Sequence, residues 1–335
     1  MILAGDIGGT KAQLALMRPR WPLCPYELRT YPTRAYSDPF SLLRDYLSTV
    51  EERPEVISLA VAGPVLQGEV YMVNVGWRFS EQDLKEAFPA AKETLLLNDL
   101  EALAFAIPYL PEKGLFQIKP GTCDPQGNIA VIAAGTGLGE AFLIRRRSLA
   151  PVPVATEGGH ADFFPFDDLT WALRKFLAER FGHVSLERVV SGPGLENIYQ
   201  FLCAREGRAP ELASAQEIGQ AGLQGVPLPR KALEIWATIY GAEAGNLALK
   251  CLATGGVFLG GGIAPKLLPL LKEGPFLKAF LEKGRLKSFL EGLSIFVIIH
   301  EYPVLLGAAL YAYFQGQKAS SEKFHSDAKV FCSSS

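Results

Sequence analysis

The sequence predicts an α/β protein of two domains, built on a strand–turn–strand unit that occurs twice. Three observations carry that reading. At 335 residues the chain exceeds what one hydrophobic core ordinarily serves. ILAGDIGGTKAQLALM (residues 2–17) and NIAVIAAGTGLGEAFLI (128–144) each read as an apolar strand, a glycine turn and an alternating second strand. Elsewhere short apolar runs alternate with segments of helical periodicity, the order that builds a largely parallel sheet.

After the first hairpin, VISLAVAGPV (56–65) and ETLLL (93–97) have the unbroken apolar character of strands buried on both faces. SEQDLKEAF (80–88) opens a helix at Ser80, with an acid three residues later. DLEALAFAIPYL (99–110) reads as a helix that Pro108 stops. Beyond the second hairpin, helices are expected at 168–181, at 194–205 and near 229–252. GGVFLGGGIAPKLLPLL (255–271) reads as strand, triple glycine and helix, and EYPVLLGAALYAYFQG (301–316) as an apolar helix. KASSEKFHSDAKVFCSSS (318–335) has lost all periodicity and reads as a disordered or peripheral tail.

Composition removes several function classes. A net charge of -2 leaves no basic excess for nucleic acid. The start MILAGDIGGT lacks a signal peptide's basic and long apolar regions, and no apolar run reaches the roughly 18–20 residues a membrane span needs. Cys24, Cys123, Cys203, Cys251 and Cys332 are scattered singly, without the spacing of a zinc site or a disulfide framework. A cytoplasmic protein with no nucleic-acid or membrane partner is the expectation.

Neither glycine turn opens into a helix, so neither a dinucleotide fingerprint nor a Walker A loop fits. The glycines either close tight hairpins or let backbone N–H groups approach an anion closely. Two such turns, each with a Gly-Thr step and about half a sequence apart, favour the anion reading. A duplicated α/β unit presents both toward one nucleotide held in a cleft between domains. Asp6 ends the first strand just before its turn, where it reads either as a turn aspartate or as a water-mediated neighbour of Mg²⁺. Asn98 and Asp99 stand where an apolar strand meets a helix, the end of an open α/β sheet at which ligands collect. There Asp99 either caps its helix or serves as a base.

TEGGHADF (156–163) sets Glu157 and His160 around Gly158 and Gly159. Zinc is disfavoured by ligand spacing, and a Ser-His-Asp triad by the absence of a nucleophile elbow. Recognition of a sugar-like molecule remains, with the two glycines leaving room beside the backbone. Glu187, in HVSLERVVSGPG (183–194), adds a second acid ahead of another glycine turn.

GDIGGTKAQLAL, LLNDLEALA, AAGTGLGEA, EGGHADF, ERVVSGPGLENIY and GGVFLGGGIAP resemble, in order and spacing, the motifs of the bacterial glucokinase family. The resemblance runs from about residue 2 to about residue 316. It implies the two-domain actin-like ATPase (ribonuclease H-like) fold of the hexokinase-type sugar kinases, with a nucleotide and sugar cleft. By it, residues 1–108 form a smaller α/β domain and 109–300 a larger one. A helix at 301–317 returns to the first domain, and 318–335 is the tail.

The same resemblance makes Gly8, Gly9 and Thr10 the first phosphate turn and Gly135, Thr136 and Gly137 the second, with Gly260, Gly261 and Gly262 against the adenosine. Asn98, Asp99, Glu157, His160 and Glu187 hold the hexose, and Asp99 is the catalytic base. The family often has Asn where this chain has Lys11. A related repressor–kinase branch carries a cysteine-rich zinc motif after its E-G-G-H segment; FFPFDDLTWALRKF has none, which points to the glucokinase branch. The implied reaction is phosphorylation of D-glucose at its 6-hydroxyl, the entry step of glycolysis, with ATP and Mg²⁺, in a chain for which a homodimer is admissible. The rivals are kinases of mannose, fructose or an N-acetyl hexosamine, a non-catalytic sugar sensor, and an actin-like assembly ATPase.

Overall fold

A computed structural model describes residues 1–146, 150–272 and 274–316. The tail expected at 318–335 lies outside the described residues. The chain divides into two compact units: Met1–Glu112 with Arg145–Ala155 and the chain from His300 on, and Lys113–Ile144 with Thr156–Ile299.

In the first unit the opening hairpin is β1 (Ile2–Ile7) and β2 (Lys11–Met17), antiparallel as the alternation of KAQLALM requires. β3 (Pro25–Pro32) pairs with β2 at the sheet's edge, and β4 (Val56–Val61) runs parallel to β1. A separate three-stranded sheet holds β5 (Val65–Leu66), β6 (Glu69–Met72) and β7 (Trp77–Ser80). Its β5–β6 turn consists of Gln67 and Gly68, both at positive φ, the primed geometry that suits the twist of a two-residue hairpin. β8 (Glu93–Asn98) completes the main sheet, whose order is β3-β2-β1-β4-β8. Its register aligns Ile7 with Val61 and Val61 with Asn98, so the carboxyl ends of β1, β4 and β8 lie side by side.

The apolar helix Pro303–Gly316 packs within this unit. The Ser58 hydroxyl of β4 donates to the Ala308 carbonyl at 2.7 Å, and any Cβ at Gly307 would run into the Ala102 backbone. Glycine at 307 thus lets this helix approach helix Asp99–Ala106 closely, which fixes the helix that begins with Asp99.

In the second unit β9 (Leu115–Lys119) is an edge strand. β10 (Ile129–Ala134) and β11 (Leu138–Ile144) form the second hairpin; β12 (Val152–Thr156) follows in the same sheet, with only Thr156 counted in this unit. β13 (Val257–Gly260) and β14 (Ile295–Ile298) run parallel in turn beside β10. The order is β12-β11-β10-β13-β14-β9, which repeats the first sheet's plan of a hairpin followed by parallel neighbours. Register aligns Ala133 of β10 with Gly260 of β13, placing the triple glycine at the same end as the 135–137 turn. Helices Asp168–Phe181, Gly192–Arg205 and Pro227–Cys251 stand where helical periodicity predicts them.

Candidate active site

The first glycine turn is held from its own side. The Gly8 N–H donates to the Lys11 carbonyl at 2.9 Å, the Thr33 hydroxyl donates to the Gly8 carbonyl at 2.8 Å, and the Thr33 N–H donates to the Thr10 carbonyl at 3.0 Å. Neither Gly8 nor Gly9 has a positive φ; space makes the demand, since a Cβ on Gly9 would lie 2.7 Å from the Asn74 Cβ. Part of the turn's hydrogen bonding therefore closes the hairpin, as the simpler reading of these glycines requires.

The aligned strand ends bring Asp6, the turn and Asp99 to the carboxyl end of the parallel strands of the first sheet. The Asp6 carboxyl is pushed up to about 7, first by burial and then by the Asp99 carboxylate, with Lys11 pulling the other way. Lys11 is exposed, and its charge offsets that of Asp6.

The helix cap is Asn98, not Asp99. Asn98 Oδ1 accepts from the N–H groups of Leu100 (2.9 Å) and Glu101 (3.3 Å), and its Nδ2 donates to the Gly63 carbonyl at 3.0 Å. Glu101 reaches back to the Asn98 N–H, closing a capping box. Asp99 is the first residue of the helix, where its Oδ1 accepts from the Leu100 N–H at 2.9 Å. A carboxylate at this position is favoured by the helix dipole.

The second glycine turn is latched from outside. Gly135 N–H donates to the Gly137 carbonyl at 2.8 Å, which closes the hairpin. Gly192 N–H donates to the Gly135 carbonyl at 2.8 Å, and Glu187 Oε2 accepts from the Leu138 N–H at 3.0 Å. Glu187 Oε2 also stands 2.5 Å from where a Gly137 Cβ would be. The latching segment is itself anchored. Ser191 Oγ donates to the Glu187 carbonyl at 2.7 Å, and the buried Trp236 Nε1 donates to the Ser191 carbonyl at 3.2 Å.

Glu157 precedes and His160 ends the short 3-10 turn Gly158–His160, with Glu157 Oε2 and His160 Nε2 3.7 Å apart and both side chains exposed. The two glycines between them serve packing rather than open space. A Cβ on Gly158 would strike the Glu140 carboxylate, and one on Gly159 the Leu138 carbonyl. The expectation that these glycines leave room for a ligand is corrected accordingly: they let the turn lie directly on β11. At the third glycine run, Gly261 has φ +80 and lies against the Ala134 backbone, whereas Gly262 faces open space.

Asp6, Gly8, Gly9, Thr10, Asn98 and Asp99 thus share the end of the first sheet at which β1, β4 and β8 finish. Gly135, Thr136, Gly137, Glu157, His160, Glu187, Gly260, Gly261 and Gly262 gather at one end of the second. Sequence reasoning missed Glu140, a fully buried acid on β11, and Thr33 beneath the first turn. The strand alternation of LGEAFLI could have marked Glu140, whose position in β11 faces inward. Nothing local marks Thr33. No group of three or more His, Cys, Asp or Glu placed to hold a metal ion occurs among the described residues.

The family model that matches the chain is described as Glucokinase and aligns with residues 3–315. A glucokinase of Caulobacter vibrioides is 38% identical over 329 residues, 95% of this chain and 97% of that protein. One from a Nostoc species is 36% identical, covering 93% of this chain and 98% of that one. The crystal structure of a glucokinase from an Antarctic psychrotroph superposes with a TM-score of 0.82 at 34% identity, covering 92% and 97% of the two chains. The fold is the actin-like ATPase fold of these sugar kinases.

Proposed function

The chain belongs to the glucokinase family and catalyses ATP-dependent phosphorylation of glucose, and from that premise we propose how its residues share the work. Asp99 is the catalytic base. The single observation that carries this assignment is that Asn98 does the capping, so the carboxylate beside it is not spent as the helix cap. Asp99 accepts the proton of the glucose 6-hydroxyl as that oxygen bonds to the γ-phosphorus; the bond to the β–γ bridging oxygen breaks, and ADP leaves. A positioned base of this kind is worth about 10²–10⁴-fold. Orientation and electrostatics supply the rest of the acceleration, since phosphoryl transfer leaves a protein little covalent work.

Asn98, Glu157, His160 and Glu187 complete the hexose set with Asp99. Glu187 has one oxygen on the Leu138 N–H, so the other faces the sugar in this proposal. The N–H groups of the two glycine turns that do not close their hairpins cradle the phosphates, with Thr10 and Thr136, both exposed, beside them. Gly260, Gly261 and Gly262 lie against the adenosine, where Gly262 has the space for it.

The residues also suit Mg²⁺, which takes one or two carboxylates and otherwise waters and substrate phosphates. Asp6 is a carboxyl whose charge is opposed by burial and by Asp99, a position that a cation relieves. Asp6 would hold Mg²⁺ through water, and the bound cation would offset phosphate charge.

No helix among the described residues is long and apolar enough to cross a membrane. A cytoplasmic location and a homodimer complete the proposal, for which the exposed Phe164, Phe166 and Trp171 offer an apolar surface. Sedimentation checks the assembly. The deciding experiment is a coupled ADP-release assay across glucose, mannose, fructose and N-acetyl hexosamines. Glucose is expected to give the highest kcat/KM; a higher value for any other sugar overturns the specificity.

A further inference from the structure

The second unit holds a buried acid that the reaction above does not use. Glu140 lies on β11, 1% exposed, and its Oε1 has no hydrogen-bond partner among the described residues. Its other oxygen is packed against Gly158, in the middle of the E-G-G-H segment. Thr156 ties the two together: its hydroxyl donates to the Glu140 carbonyl at 3.0 Å and accepts from the Gly158 N–H at 3.1 Å.

The charges facing Glu140 are short of a cation. Helix Pro227–Cys251 brings Glu243, 5% exposed, which accepts from Lys250 Nζ at 3.0 Å and from Asn246 Nδ2 at 2.8 Å. Tyr240 on the same helix has its hydroxyl on the Ile132 carbonyl at 3.2 Å, and Lys283 donates to Asn246 Oδ1 at 2.7 Å. Lys250 is therefore committed to Glu243 and Lys283 to Asn246. The turn on the other side adds Glu157 and His160, which face solvent. An ionised Glu140 in that place is a second buried carboxylate whose Oε1 has no donor among the described residues, an arrangement that strongly favours the neutral acid.

We propose that Glu140 is a positioning residue for the hexose site, held as a neutral carboxylic acid on which the 157–160 turn rests, and that loss of its proton displaces that turn. Burial, and then Glu243, push this carboxyl up to about 7 against the pull of Lys250. The proton is thus lost near neutrality rather than in the acid range. Because Gly158 lies on the carboxyl with no side chain between them, any movement of Glu140 is passed to Glu157 and His160 through the backbone. The role rests on reading that turn as part of the glucose site.

The test compares wild type with Glu140→Gln and Glu140→Ala, measuring glucose KM and kcat at pH 6 and pH 8.5, and Tm at pH 8.5 and near pH 4. Glutamine keeps the shape of the neutral acid and cannot ionise. The wild-type glucose KM is expected to rise about tenfold more across this range than that of Glu140→Gln, with kcat changing less, because displacement of a positioning group weakens binding geometry first. Glu140→Ala should show the raised KM at both pH values. Glu140→Gln should also have the higher Tm at pH 8.5 and the same Tm as wild type near pH 4, where both carry no charge at 140. Superimposable KM profiles for wild type and Glu140→Gln in active, folded enzymes overturn the positioning role, even if the Tm gap appears. Wild type that phosphorylates no hexose refutes the functional reading and this role with it.

Discussion

Replacing Glu187 with alanine should damage ATP use as well as glucose use. From the sequence alone, Glu187 belongs to the sugar, and its loss should be felt only there. In the structure its Oε2 accepts from the N–H of Leu138, the residue that follows the second glycine turn, and fills the space that glycine leaves at 137. Leu138 is 6% exposed, so water replaces that acceptor poorly. Leaving a buried N–H without its charged partner costs about 1–3 kcal/mol, roughly five- to 150-fold in an equilibrium. That cost falls on the turn proposed for the phosphates. Initial-rate kinetics with each substrate varied at saturating levels of the other should therefore give raised KM values for both in Glu187→Ala. Glu187→Gln keeps an acceptor for Leu138, so its ATP KM should stay close to wild type while its glucose KM rises. An ATP KM unchanged in Glu187→Ala, with glucose KM alone increased, refutes the latch.

Asp99→Asn should lose turnover by about 10²–10⁴-fold while binding glucose in calorimetry and melting like wild type, because the cap is elsewhere; near-normal kcat sinks the base assignment. Asn98→Ala, conversely, should cost about 1 kcal/mol of stability through the lost cap, read by denaturant unfolding. Gly135→Ala and Gly262→Ala place their methyl groups in open space at ordinary φ, so each should keep its Tm and raise ATP KM; unchanged ATP KM in both removes these runs from the nucleotide site. Asp6 is pushed from its usual 3.8 up to about 7 by burial, then by Asp99. Across that window the folded chain keeps a proton that the unfolded chain has lost, so stability falls as pH rises through it and stays level above. Asp6→Asn should accordingly raise Tm at pH 8 and leave it unchanged near pH 3; an equal gap at both values contradicts the sign.

The hairpins, the buried parallel strands and most helices were legible because each announces itself locally: alternation for β2 and β11, unbroken apolar runs for β4 and β8, a capping box at Ser80. The three-stranded sheet escaped because its strands are two to four residues long and its only signal is the Gln67-Gly68 turn. β3 escaped because an edge strand with the sequence PYELRTYP buries little and shows no clean period. Residue types at the site were readable; their division of labour was not. Whether Asn98 or Asp99 caps the helix depends on a rotamer, and both choices satisfy the same sequence rule.

The glycines carry the larger lesson about what a sequence withholds. Gly9, Gly135, Gly137, Gly158 and Gly159 look alike in a motif, and none has a positive φ. Their neighbours separate them: Asn74 beside Gly9, open space at Gly135, Glu187 at Gly137, Glu140 at Gly158 and the Leu138 carbonyl at Gly159. Only Gly135 among these is left without a packing reason, which makes it the position where a ligand's demand for close backbone approach can be read most directly. The others make room for another part of the same protein. Two of those parts are carboxyl groups, Glu187 and Glu140, and each lies against a turn assigned to a substrate. Glycine in this chain therefore does more than admit phosphate or sugar to the backbone. It also seats an acid directly against a turn, so that the placing of the acid and that of the turn depend on each other.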